Sequence, residues 1–398
     1  MFIEIFFAIS LGILAGIFTG LTPGVHINLV SLLLLSISPI LPFSFLALAC
    51  FIIAMSVTHS FLDPIPSIFL GAPDSDQILG VLPGHRYLLA GHGYTALLLT
   101  VIGSFGALIL SIILFPVFIL IVKYGYEYIS DYIGYILLAV IVFMTLRNKK
   151  KVWALFIFII SGTLGLIVLN IPSISNPLFS MLSGLFGVST LLISLNANDQ
   201  MPEQKQPEKL NLSKKLTLKA LLSGQLSGFL TAVLPGVGSA TAAILSLQIT
   251  RNLGDKGFMI LTGSINTVNF ILSMVTLYVL NKARNGAIIV VQKLVETITL
   301  SQILIFLSVT LIAGSISVFL ALKIGKIFSK IISKVNYQKL VLSIILLIII
   351  LTFILSNWQG LIILITATAI GLLPAIVKVT RTQAMGCIML PVMLFFLI

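Results

Sequence analysis

The chain is poor in charge. Asp, Glu, Lys and Arg make up 9% of its 398 residues, against about 25% in an ordinary soluble domain, so a soluble globular fold is excluded. It has two cysteines, Cys50 and Cys387. Both lie in apolar segments without a spacing partner, which argues against a disulfide framework or a thiolate metal site. No GxxxxGK phosphate loop is present, so ATP-driven transport would need a separate subunit. No HExxH or His-x-x-x-His arrangement occurs, and His59, His85 and His92 are 26 and 7 residues apart across glycines and prolines, which is not ligand spacing. Neither a metal nor another cofactor is expected. The apolar N-terminus contains Glu4 and lacks a basic n-region, so it does not read as a cleaved signal.

What the chain has instead is apolar length. It is 59% hydrophobic, with a mean hydropathy of +1.19 and unbroken runs such as 340 to 356. A transmembrane barrel, whose strands alternate over about ten residues, cannot hold such runs. The expected class is an all-α polytopic membrane protein in the cell membrane. A net charge of +12 could suit nucleic acid, but the basic residues fall at the ends of apolar segments, as in cytoplasmic membrane loops.

The chain is internally duplicated. GILAGIFTGLTPGV (12 to 25) and GQLSGFLTAVLPGV (224 to 237) align at an offset of 212, matching Gly12 with Gly224, Gly16 with Gly228, Thr19 with Thr231 and Pro23-Gly24-Val25 with Pro235-Gly236-Val237. Proline removes a backbone donor and glycine permits an open turn, so a helix should break at each pair. Such a break is tolerated at membrane depth only where it is buried in protein or lines a water-filled cavity. Interrupted helices in matching halves point to a transporter's binding site.

Each half then reads as a broken pair followed by five spans. The first has 2 to 20 and 25 to 40, then 43 to 60, 97 to 121, 131 to 146, 152 to 170 and 177 to 196. The second has 219 to 234 and 237 to 250, then 257 to 281, 300 to 322, 340 to 356, 360 to 375 and 383 to 397. The expected organisation is a transmembrane repeat over 1–196, a polar cytoplasmic linker over 197–218 and a second repeat over 219–398. If each broken pair is a re-entrant hairpin, five crossings follow it and the second repeat is inverted. With Arg147 and Lys149 to Lys151 inside, 19 of the 23 basic residues fall inside; Lys123, Lys282, Arg284 and Lys293 are the remainder. This predicts both termini outside. Lys323, Lys326, Lys330 and Lys334 alternate with apolar residues at helical spacing and predict an interfacial amphipathic helix.

The half-helices that start beyond the breaks present free N–H groups and a positive dipole end. Two such ends meeting from opposite faces would form an anion site without a basic side chain. The candidate substrate residues are Thr22, Pro23, Gly24, Val25, His26, Asn28, Leu234, Pro235, Gly236, Val237, Gly238 and Ser239. Thr19, Thr231 and Thr241 are further hydroxyls near the breaks, whereas Gly12, Gly16, Gly224 and Gly228 read as packing residues. His26 stands where the other copy has Gly238, so it is either a proton carrier or substrate ligand, or a neutral residue bonded to backbone. The stretch 56 to 95 is too polar and broken for a simple span. It reads as a loop plus a second re-entrant element, and Asp63, Asp74 and Asp76 are coupling-ion or proton candidates. Asp74 also suits a helix cap. At an offset near 210, His59 faces Asn269 and Asp74 faces Arg284. This adds Asn266 and Asn269 as coupling candidates, and Arg284 and Asn285 as substrate candidates, since an arginine there could pair a carboxylate or phosphate.

The duplicated GxxxGxxTxxxPGV stretches and the segment GAPDSDQILGVLPGHRYLLAGHGYTALLLTVIGSFGALIL resemble the TctA family, the large membrane subunit of tripartite tricarboxylate transporters. Pro23, Gly24, Pro235, Gly236 and Gly238 match its Pro-Gly loops, and Gly71, Pro73, Gly84, Gly91 and Gly103 its glycine-rich segment. The resemblance implies a permease that moves organic anions on an ion gradient beside a small membrane subunit and an extracytoplasmic binding protein. Family members are commonly longer, and His26 replaces a glycine, which suggests a short, divergent, archaeal branch.

The leading expectation is therefore a secondary transporter of a small organic anion such as a carboxylate, driven by Na⁺ or H⁺, and not an enzyme. Translocation of a phosphorylated polyprenyl lipid suits the same opposed helix ends. An intramembrane enzyme built on His26, His59 and the acids from Asp63 to Asp76 is a third reading, and requires two of these groups within hydrogen-bond reach. Homodimer formation is left open.

Overall fold

A computed structural model describes residues 2–22, 27–70, 78–174, 177–195, 202–205, 210–233, 242–243, 246, 253–283, 285–333 and 336–398. The protein is all-helical, with no strand among the described residues. Eight helical segments are long and apolar enough to cross a membrane. In chain order the helices are α1 (Phe2–Leu21), α2 (Ile27–Ile37), α3 (Phe45–Leu62), α4 (Pro64–Phe69), α5 (Ile78–Leu89), α6 (Gly93–Ser130), α7 (Ile133–Leu146) and α8 (Lys151–Leu169). They continue as α9 (Pro177–Leu182), α10 (Ser189–Leu195), α11 (Lys214–Val233), α12 (Gly254–Leu280), α13 (Gly286–Val295), α14 (Leu300–Ile332), α15 (Tyr337–Val377) and α16 (Gly386–Leu397).

Glycine sets how closely the central helices approach. Lipid tails are as apolar as leucine, so helices in a bilayer associate by close packing and buried polar contacts. On α1, a Cβ at Gly12 would lie 2.5 Å from the Phe51 carbonyl oxygen, one at Gly16 2.5 Å from Thr58 Cβ and one at Gly20 2.8 Å from Leu62 Cβ. The α11–α12 pair repeats this: a Cβ at Gly224 would lie 2.3 Å from Ser264 Cβ and one at Gly228 2.4 Å from Val268 Cβ. Gly16 and Thr58 thus correspond to Gly228 and Val268, which puts His59 in register with Asn269.

The central helices are α3 with α4, 78% buried over the span, and α12, 89% buried, while the other six spans lie between 28% and 50%. Polar side chains such as Thr58 and His59 on α3 and Ser264 and Asn266 on α12 are therefore buried in protein. The packing interleaves the sequence halves. One apolar core joins Ile13, Phe61 and Leu108 with Ala232, Ile271, Ile288 and Phe306. A second joins Leu137, Phe158 and Met181 with Ala367 and Met389.

Several expectations are corrected. Residues 56 to 62 are not loop: they are the last two turns of α3, and α4 follows at Pro64. Lys323, Lys326 and Lys330 belong to no separate interfacial helix but continue α14 for 33 residues in all. The runs 340 to 356 and 360 to 375 are two helical halves of α15, joined at Asn357 with φ 53° and ψ −159°. The linker is anchored where it is described. Gln204 accepts from Gly93 N at 2.9 Å and donates to Leu88 O at 3.0 Å, while Lys205 N donates to Gly91 O at 2.8 Å. Nearby, Arg86 pairs with Asp255 at 3.5 Å on the surface.

Candidate functional site

The site is built where α1 and α3 end side by side. Residue Thr22 closes α1 with a bond from its N–H to Phe18 O at 3.1 Å, immediately before Pro23. One turn earlier, buried Thr19 lies 3.1 Å from Nδ1 of buried His59. A Cβ on Gly20 would lie 3.1 Å from the His59 carbonyl oxygen, so the backbones touch here. Asp63, 3% exposed, ends α3 by donating its N–H to His59 O at 2.8 Å. Its carbonyl receives the Ser67 hydroxyl at 3.1 Å. Proline at 64 has no N–H to extend α3, so the helix re-forms as α4. The end of α1 at Thr22 and the α3–α4 junction at Asp63 therefore sit next to each other.

A second cluster crosses the sequence halves. Asn28, in the first turn of α2, packs on Gly286, where an added Cβ would meet the amide carbon at 2.5 Å. Asn285 caps α13, its side chain accepting from Ala287 N at 3.0 Å. The start of α2 thus meets the start of α13. Asn28 and Asn285 thus lie at the starts of two helices that are in contact.

In the second half, Asn266 is buried and Asn269 half-buried on α12, beside α11. The Asn269 N–H lies 3.1 Å from where a Gly228 Cβ would be. Ser227, on α11, donates to Ala242 O at 3.3 Å and contacts Ser246. Ser227 and Ala242, 15 residues apart, are thus in contact. The positions Pro23, Gly24, Val25, His26, Asp74, Asp76, Leu234, Pro235, Gly236, Val237, Gly238, Ser239, Thr241 and Arg284 lie outside the described residues.

Sequence reasoning passed over Gln225 in the second duplicated stretch. It is buried, accepts from Ser111 Oγ at 3.0 Å and donates to Ala107 O at 3.1 Å, tying α11 to α6. An amide inside an apolar run was the available signal. The pairing of Thr58 with Ser317 at 3.1 Å joins α3 to α14 and had no local signal. Among the described residues no group of three or more His, Cys, Asp or Glu could hold a metal. A cavity of about 570 Å³ between α1 and α14 is lined by Phe2, Phe6, Ile9 and Ile312 with Ser10 and Ser308. Both serines bond their own backbone, to Phe6 O and Leu304 O, so it presents hydrocarbon and is not the anion site.

The eight apolar helical spans make the chain a multi-pass helical membrane protein. The family model "Tripartite tricarboxylate transporter TctA family" matches residues 6–386, and the chain belongs to that family. Its members are membrane subunits of tripartite transporters and not enzymes. An uncharacterized protein of Methanocaldococcus jannaschii is 28% identical over 396 residues, covering 97% of this chain and 98% of that one. This fits an archaeal branch. No solved structure matches the chain.

Proposed function

We propose that the protein is a permease that carries a small carboxylate across the membrane on an ion gradient. The single observation that carries this reading is the shared packing of α1 on α3 and α11 on α12, with α1 and α11 each ending just before a Pro-Gly pair. Local packing that recurs in both halves is what opposed broken hairpins require. The contact of Ser227 with Ala242 supports a hairpin in the second half, and the meeting of Asn28 with Gly286 supports helix N-termini directed at a common anion. In this reading the repeats are inverted and both termini are outside. The carboxylate lies between residues Thr22 to Asn28 and Leu234 to Ser239, with Arg284 and Asn285 at its edge. A small membrane subunit and an extracytoplasmic binding protein complete the transporter.

The family match favours a soluble organic anion over a polyprenyl phosphate. Uptake of radiolabelled citrate, succinate and a polyprenyl phosphate into proteoliposomes, with Na⁺ and proton gradients varied, tests it. Carboxylate accumulation is expected. Transport of the lipid phosphate alone would overturn the reading. Gly236→Leu should abolish uptake while leaving the folded protein extractable, and full activity in that variant would remove the second break from the mechanism.

A further inference from the structure

We infer that the corner where the α7–α8 turn meets the α15–α16 turn seats the phosphate of an anionic membrane phospholipid, and that Arg381 grips it. The inference goes beyond the permease reading and does not depend on it. It starts from an imbalance of charge. Residues 132–198 and 297–398 contain no Asp or Glu, and α7, α8, α9, α10, α15 and α16 all lie within them. These helices pack on one another through two apolar cores. The cations of the corner, Arg147, Lys149, Lys150, Lys151, Lys378 and Arg381, therefore find no carboxylate on any of these six helices.

Hydrogen bonds hold the two turns together. Asn148 Oδ1 accepts from Thr380 N at 3.3 Å and from Thr380 Oγ1 at 3.1 Å, while its amide nitrogen donates to Met144 O at 2.9 Å. Thr382 donates to Thr380 Oγ1 at 3.2 Å, and buried Gln383 donates to Met144 O at 3.0 Å. Arg381 opens the one-turn 3₁₀ helix Arg381–Met385 between these anchors, so its backbone is fixed against α7. Arg147, Lys149, Lys150, Lys151 and Lys378 are exposed, but Arg381 is half-buried. One of its N–H groups goes to Thr190 Oγ1 on α10, whose own hydrogen goes to Phe186 O. A guanidinium has five N–H donors in a planar fork. Among the described residues no other protein acceptor meets it, and a phosphate presents paired oxygens that such a fork matches.

The surroundings select a lipid over a soluble anion. α7 ends at Leu146, α8 begins at Lys151 and α15 ends at Val377, so the corner stands at the ends of three apolar helices. Val379 packs with Ala154 and Ile157, which sets the end of α15 level with the first turns of α8. At that level Val152 is 82% exposed, Ile376 71% and Trp153 45%. Apolar side chains thus face outward beside a cluster of cations. Indole rings concentrate where acyl chains meet headgroups, and basic clusters at the ends of membrane helices attract anionic lipid. A phospholipid uses both features, its phosphate on Arg381 and its chains on the apolar flank. A free anion would use the first alone.

The full chain purified in detergent tests this with phosphatidylglycerol, phosphatidylcholine of the same chains, inorganic phosphate and citrate as probes. Phosphatidylglycerol should raise the thermal unfolding midpoint by several degrees over phosphatidylcholine. Arg381→Gln should lose most of that difference, while Lys326→Gln, which removes an exposed cation on α14, should keep it. A second readout places the lipid without relying on stability. The chain has two tryptophans, so Trp358→Phe leaves Trp153 as the reporter. In nanodiscs containing both lipids, one brominated in its chains at a time, brominated phosphatidylglycerol should quench Trp153 several-fold more than brominated phosphatidylcholine, and adding Arg381→Gln should remove the excess. Equal quenching by the two lipids, or an excess that survives Arg381→Gln, overturns the inference. So does the same midpoint rise with inorganic phosphate or citrate, which would make a soluble anion the occupant, or an equal loss in Lys326→Gln, which would reduce the effect to net charge.

Discussion

Ser104 on α6 donates its hydroxyl to the carbonyl of Gly263 on α12 at 3.0 Å, and the reverse bond runs from Ser264 to the carbonyl of Gly103 at 3.1 Å. Two Gly-Ser pairs thus clasp each other across a helix crossing. The clasp forms because neither glycine holds the backbones apart. A Cβ on Gly103 would lie 2.0 Å from the Ile260 carbonyl oxygen, and one on Gly263 would lie 2.2 Å from that of Thr100. It joins the two sequence halves at the most buried of the eight membrane spans among the described residues.

Gly103→Ala should therefore force the backbones of α6 and α12 apart, since the obstructing atom belongs to the main chain and cannot rotate away. Overpacking of this kind costs about 1–3 kcal/mol. The thermal unfolding midpoint in detergent should fall by several degrees. Gly125→Ala on the same helix, where nothing lies within 4 Å, should leave it unchanged or raise it; equal effects would remove the close crossing as the cause.

Breaking the Gln225 contact should give asymmetric results. In Gln225→Leu the hydroxyl of Ser111 loses its acceptor, but the carbonyl of Ala107, four residues back on its own helix, can receive it. The cost should stay under about 1 kcal/mol. Ser111→Val instead leaves the Gln225 oxygen buried without its donor, at about 1–3 kcal/mol. A double-mutant cycle on unfolding midpoints checks the order, and a larger loss from Gln225→Leu would contradict it.

The junction within α15 makes a backbone prediction. Asn357 holds φ 53° and ψ −159°, a region that only glycine occupies freely, and strain there costs about 1–3 kcal/mol. Asn357→Gly should raise the unfolding midpoint, while Asn357→Val should lower it. The reverse order would indicate that the asparagine side chain, and not the backbone, holds the junction.

Gln204 offers a test that needs no transport assay. Its side chain bridges Gly93 and Leu88, so Gln204→Ala removes both bonds and should release the linker from the α5–α6 turn. Limited trypsin digestion should cut after Lys205 several-fold faster in the variant, with its unfolding midpoint little changed. Equal cleavage rates would show that the bond from Lys205 N to Gly91 O suffices.

The duplication and the helical membrane class follow from composition and from one repeated stretch, because apolar length and a Pro-Gly pair act locally. The glycine spacing in GxxxGxxT also marked packing faces, since residues four apart share one side of a helix. The segment around His59 was less legible. Its histidine, aspartate and prolines suggest a loop in water, but inside a protein-lined core α3 continues to Leu62, because Thr19 and the glycines of α1 meet those polar groups at contact distance. The linker is polar, and within it Gln204 finds partners that no neighbour in sequence reveals.

The amino-acid order by itself determined where helices must stop, which residues recur in both halves and that the whole lies in a bilayer, since each depends on backbone chemistry or on apolar content over a short window. Tertiary structure alone decided that α6 clasps α12, that Asn28 rests on Gly286 and that His59 stands opposite Thr19. Those contacts join residues far apart in the chain, and they form only where side-chain size lets two helix backbones come within touching distance.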